Sequence, residues 1–280
     1  PNGGSATCTI TNNDNIPSLT LVKDVVNDNG GTASASDWTL DASGPTPISG
    51  NGGASSDDSF DAGTYTLSES GPDGYTASEW ICEGGSQNGS EITLDLGESA
   101  ICTITNDDIA PLLKLVKVVE SGNNLPGDWT LTASGDGGFS DTGDSDTFHE
   151  VLANETYTLS EDGPQGYTAS DWDCGEANLD GDQIVLGLDE EVTCTITNTR
   201  DTGTITVIKD VEPDDESLWD ILISGEVEES DTIGDGGQTG PHTLPAGHYT
   251  VTEENGLGYV SSYICFADEE QEVVSGSGRI

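Results

Sequence analysis

The sequence repeats itself with a long period. Aligning SLTLVKDVV, LLKLVKVVE and TITVIKDVE puts Lys23, Lys117 and Lys209 in one column, 94 and 92 residues apart. DWTLDASG, DWTLTASG and LWDILISG follow, anchored by Trp38, Trp129 and Trp219. Next come AGTYTLSESGPDGYTASEWIC, NETYTLSEDGPQGYTASDWDC and AGHYTVTEENGLGYVSSYIC. A repeat of this length is a domain, so the chain is constrained to like modules in tandem. The last column, CTITN, runs out of phase. It closes the first two repeats at Cys102–Asn106 and Cys194–Asn198, has no copy after Cys265, and has a spare copy at Cys8–Asn12. The sequence thus divides into a segment 1–15, whole repeats at 16–107 and 108–199, and a repeat 200–280 expected to lack its final strand.

Short Val-, Ile-, Leu- and Tyr-rich runs, punctuated by 37 glycines, predict an all-β chain. At this repeat length the module is an Ig-like β-sandwich, and the short turn-bearing links NNDNIP, NDDIAP and NTRDTG predict three of them stacked in an elongated rod. No apolar run approaches the length of a membrane span. The 53 acidic against 6 basic side chains leave a formal charge of −47, which repels nucleic acid and attracts cations. Such acidity reads as a solvated face suited to salty water, or as calcium sites. The candidates for the second are SGDGGFSDTGDSD with Asp136, Asp144 and Asp146, NLDGDQ with Asp180 and Asp182, and NDNGG at 27–31. None has EF-hand spacing. An enzyme acting on polysaccharide has no supporting constellation beyond the abundance of carboxylates.

Side chains on a strand alternate between faces. Leu19, Leu21 and Lys23 therefore share a face, as do Tyr65, Leu67 and Glu69, and Cys102, Ile104 and Asn106. If the apolar residues face the core, so do a lysine, a glutamate and an asparagine. The second repeat does the same with Lys117, Glu161 and Asn198. Unpaired ions and amides are expensive to bury. One reading is a buried Lys–Glu pair bonded by Asn, which roughly breaks even; another puts these residues at strand ends, with their tips in water. Cys82 and Cys102 are 20 residues apart, as are Cys174 and Cys194, so two disulfides are the economical assignment for an extracellular chain; zinc is the alternative. Cys8 and Cys265 are left over.

L-x-L-x-K-D early, Y-T-L-x-E-x-G-P-x-G-Y in the middle and T-I-T-N at the end resemble the collagen-adhesin B-type (Cna B-like, prealbumin-like) domains of bacterial surface adhesins and pili. The resemblance covers all three repeats and implies a prealbumin-like sandwich. It also implies a spontaneous isopeptide bond between the first-strand Lys and the last-strand Asn, assisted by the Glu of the middle strand. Carried over, this gives Lys23–Asn106 with Glu69 and Lys117–Asn198 with Glu161. Burial favours the neutral, nucleophilic amine and raises the pKa of the glutamate, and no cofactor is required. The reaction is a single-turnover self-modification, so the chain is not an enzyme.

The third repeat keeps Lys209, Glu253 and Cys265, while segment 1–15 carries an Asn and a Cys with no domain to serve. Together these predict that segment 1–15 of one copy inserts as the last strand of repeat three of the next, building a head-to-tail homopolymer. Lys209 would bond to Asn12 of the neighbouring copy with Glu253 assisting, and Cys265 would pair with its Cys8. The expectation is a structural subunit of an extracellular, cell-surface, pilus-like filament. The alternative is the stalk or binding segment of a long repetitive adhesin, cut in arbitrary phase, whose adhesion ligand the sequence does not name.

Overall fold

The computed structural model describes residues 3–214, 216–254, 259–267 and 271–277. Pro1 and Asn2, at the start of the expected donor segment, lie outside them. The chain is all-β, and repeats one and two are sandwiches of two sheets. In repeat one, strand Ser18–Val26 runs parallel to Ser99–Asp108, with Lys23 opposite Ile104 and Val25 opposite Asn106. Gly53–Ser55 flanks the pair on one side, and Tyr75–Ala77 and Ile81–Glu83 on the other. The facing sheet holds Thr39–Ser43, Ile48–Asn51, Gly63–Ser70, Ser86–Asn88 and Glu91–Leu94. Repeat two copies the plan: Leu112–Val119 is parallel to Glu191–Arg200, with Lys117 opposite Ile196, and Thr156–Asp162 lies in the facing sheet.

The alternation read in the sequence decides which side faces in. Leu19, Leu21, Leu40, Tyr65, Leu67, Ile92 and Ile104 are buried, and so are Lys23 and Asn106. Each large apolar side chain contributes about 1.5–3 kcal/mol on leaving water, which is what holds the polar residues between them in place. Cys82–Cys102 and Cys174–Cys194 are disulfides, each tying the last strand of its sandwich to a preceding segment.

Repeat three departs from the plan. Its first strand shrinks to Thr202–Ile205 and pairs with His242–Pro245; Lys209 lies beyond it, its backbone bonded to Gly236 and Gly237. Trp219–Ser224, Glu229–Ile233 and Thr250–Glu254 form the facing sheet. Ser262–Ala267, which carries Cys265, pairs with Gln271–Ser277. Its counterpart in repeat one, Ile81–Glu83, pairs instead with the last strand. Among the described residues no strand lies parallel to the start of repeat three.

Adjacent repeats touch. Asn29 and Gly30 present carbonyls to the Ala153 amide and the Asn154 side chain. At the next joint the Arg200 guanidinium donates to the Glu226 carboxylate at 2.9 Å and to the Ala246 carbonyl, while Asn123 also donates to Glu226. Asp108, at the place of Arg200 in repeat one, turns inward and accepts from the backbone amides of Asp28, Asn29 and Gly31. The same strand position is thus a loop cap in one repeat and a joint in the other.

Candidate crosslinking sites

Three side chains from three strands converge inside each complete sandwich. In repeat two, Lys117 Nζ lies 2.6 Å from Glu161 Oε2, and Asn198 Nδ2 donates to Glu161 Oε1 at 2.9 Å. One carboxylate therefore touches both the amine and the carboxamide. The parallel register makes this so: Lys117 sits opposite Ile196, and Asn198 is two residues further along the same face. Asn198 Oδ1 is buried without a hydrogen-bond donor. In repeat one, Lys23 Nζ donates to Asn106 Oδ1 and forms an ion pair with Glu69 Oε2 at 2.9 Å. Both lysine side chains have zero solvent exposure, whereas the glutamates keep 13% and 17% and so retain a path for protons to water.

The column of tryptophans roofs these sites. Lys23 sits 4.7 Å from the Trp38 ring centre, Lys117 5.1 Å from Trp129, and Lys209 5.0 Å from Trp219. Sequence reasoning used these tryptophans, ten to fifteen residues after each lysine, only to align the repeats. Local turns aim the first two. The Asp37 carboxylate accepts from the Ser34 amide, and Asp128 from the Leu125 amide, closing a turn immediately before each indole. Gly71 and Gly163 lie against the indoles so closely that a Cβ would stand 2.2 and 2.3 Å from ring carbons.

Burial lowers the pKa of Lys23 and Lys117 below the ordinary value of 10.5, outweighing the contacts to Glu69 and Glu161 that would raise it. Burial thus makes each amine easier to deprotonate than a lysine in water, toward the neutral form that attacks carbonyl carbon. In repeat three Lys209 Nζ is 3.2 Å from Glu253 Oε2, and Ser261 Oγ donates to Glu253 Oε1. Burial pushes the Glu253 carboxyl up, but the bonds from Ser261 and Lys209 together hold it below 4.5.

Residues 3–17 form no helix or strand and are exposed apart from Pro17; Cys8 and Cys265 are free thiols. Within one chain the structure does not bring Asn12 to Lys209 or Cys8 to Cys265. Of the aspartates considered for calcium, Asp146 pairs with Lys114 at 2.8 Å. The carboxylates that converge among the described residues are Asp28, Asp107 and Asp108; Asp28 belongs to the candidate NDNGG, while none of Asp136, Asp144, Asp146, Asp180 and Asp182 is in the group. No helix among the described residues is long and apolar enough to cross a membrane.

No curated protein sequence matches the chain. The solved structure of the Bacillus anthracis TIE protein is similar with a TM-score of 0.56 at 18% identity, over 87% of this chain and 46% of that one. The chain thus spans less than half the length of that protein. A major pilin of Streptococcus pyogenes is similar at 16% identity over 66% of this chain and 97% of that one, with a TM-score of 0.29. Two B repeats of the Staphylococcus aureus collagen binding protein are similar at 13% identity over 93% and 74%, with a TM-score of 0.26. The family model described as a prealbumin-like fold domain matches twice, at residues 14–104 and 108–196, more than half of the chain. With its paired sandwiches and two family matches, the chain belongs to the prealbumin-like fold domains.

Proposed function

We propose that the chain is a structural subunit of an extracellular fibre, and that repeats one and two crosslink themselves through Lys23–Asn106 and Lys117–Asn198. The observation that carries this is the Glu161 carboxylate, one oxygen on Lys117 Nζ and the other on Asn198 Nδ2. In the reaction, neutral Nζ attacks the Asn Cγ. The glutamate takes a proton from Nζ and delivers one to Nδ2, the Cγ–Nδ2 bond breaks, ammonia leaves, and an amide remains. Glu69 plays the same part in repeat one. The fold supplies effective molarity by holding the groups in contact. No cofactor enters this chemistry, and each site turns over once.

In the same scheme segment 1–15 of a second copy adds the missing strand to repeat three. Lys209 then joins Asn12 of that copy with Glu253 assisting, and the Cys8 and Cys265 thiols form a disulfide by giving two protons and two electrons to dioxygen. The exposure of Ile10 and Cys8 in an unpaired CTITN segment supports this reading. The relatives described as a major pilin and a collagen binding protein are in keeping with a surface fibre or a stalk. In the alternative, a stalk segment of a longer adhesin, neighbouring repeats of the same chain supply these strands.

Intact mass under denaturing, reducing conditions tests both levels. Each internal bond should remove the mass of one ammonia, and Glu69→Gln should restore one of the two. Monomer at the sequence mass would refute the crosslinks. Multimers that survive reduction, and that vanish in Lys209→Ala while both internal bonds persist, identify the fibre; a monomer carrying only internal bonds identifies the stalk segment.

A further inference from the structure

Repeat three places a serine where the other repeats place alanine. Tyr75 stands edge-on to Trp38 at 5.0 Å, Tyr167 to Trp129 at 5.1 Å and Tyr259 to Trp219 at 5.8 Å, which aligns the three tyrosines in space as in sequence. Two residues on lie Ala77, Ala169 and Ser261. Ala77 pairs directly with Asn106, and Ala169 with Asn198. Ser261 therefore stands beside the position that an incoming asparagine has to take. Its hydroxyl donates to Glu253 Oε1, while Lys209 holds Oε2. In repeat two the corresponding oxygen of Glu161 receives Asn198 Nδ2.

We propose that Ser261 is a placeholder: its hydroxyl occupies the glutamate oxygen that the asparagine carboxamide must bind, and holds repeat three unreacted until the completing strand arrives. This rests on the reading of repeat three as the acceptor of a CTITN strand. Without the hydroxyl, Glu253 would carry a carboxylate oxygen with no donor in a partly buried site, a costly arrangement. With it, the Lys–Glu pair stays satisfied, and the asparagine has to displace one hydrogen bond to make its own. Ser261 is a positioning residue: it touches the glutamate and takes no part in the bond made or broken.

The test uses the full chain carrying Asn12→Ala, so that copies cannot join, together with a synthetic GGSATCTITN peptide in reducing buffer. Mass spectrometry follows the adduct at Lys209 over time and peptide concentration. Ser261→Ala should raise the limiting rate of bond formation about tenfold, the equivalent of one hydrogen bond to a charged group. The half-saturating peptide concentration should not change, because strand docking precedes the displacement. Ser261→Thr, which keeps the hydroxyl, should behave as the parent. Adduct at equal limiting rates in parent and Ser261→Ala, or a slower Ser261→Ala, would overturn the placeholder and leave the acceptor reading intact. No adduct in any variant would overturn the acceptor reading and the placeholder with it.

Discussion

At the scale of single residues, the chemistry depends on keeping a lysine dry. Folded Lys23 has a lowered pKa, so between that value and 10.5 the unfolded chain binds more protons than the folded one. Stability then rises with pH through this window. Asn106→Ala keeps the amine and should melt at progressively higher temperature as the pH is raised through this window toward 10.5. If the proposed Lys23–Asn106 bond forms in the parent, the amine is consumed and repeat one loses this slope, so a calorimetric pH series separates the two. Trp38→Ala should let water reach Nζ, slow formation of the repeat-one bond and cost about 3–5 kcal/mol of stability; timed mass spectra after refolding and a denaturant titration check both. The Lys, Glu and Asn were legible in the sequence because strand alternation ties each to an apolar neighbour two residues away. The tryptophan roof was not, because its place over the amine depends on how the two sheets face each other. Ser261 was hidden for another reason: its meaning needs the pairing of Ala77 with Asn106.

At the scale of elements, the last strand of each complete repeat carries most of the cross-connections. Ser99–Asp108 pairs with three segments, holds Cys102 of the disulfide and presents Asn106 to Lys23. Replacing Cys82 and Cys102 by serine opens a loop of 20 residues and should lower the unfolding free energy by about 3 kcal/mol. Guanidinium titration in the Glu69→Gln background measures this without the second crosslink. The sequence carried the disulfide pairing, because two cysteines at one spacing recur in two repeats. It did not carry the parallel direction of the first and last strands, which comes from chain crossover and leaves no local pattern. Nor did it reveal the shortening of the first strand in repeat three to Thr202–Ile205, which pairs with His242–Pro245.

At the scale of the whole molecule, the two joints are built differently although the repeats are alike. Arg200 spans the second joint to Glu226 and Ala246, while its counterpart Asp108 closes a loop of its own repeat. Arg200→Ala should leave both complete sandwiches folded and cost no more than about 1 kcal/mol. It should widen the distribution of distances between repeats two and three, which small-angle scattering or a pair of spin labels reads directly.

The parallel pairing of first and last strands sets how a pull along the chain would be carried. Tension enters repeat one at Ser18 and leaves at Asp108, so the two strands are loaded in shear along their whole shared length. Once Lys23 is joined to Asn106, the load passes from one strand to the other through a covalent bond near their far ends. The 83 residues of separation between them are then bypassed, withholding roughly 280 Å of extensible chain from each such repeat. Tandem modules joined in this way would transmit tension as a nearly inextensible cable, with slack left only in the short links and in any repeat whose bond has yet to form.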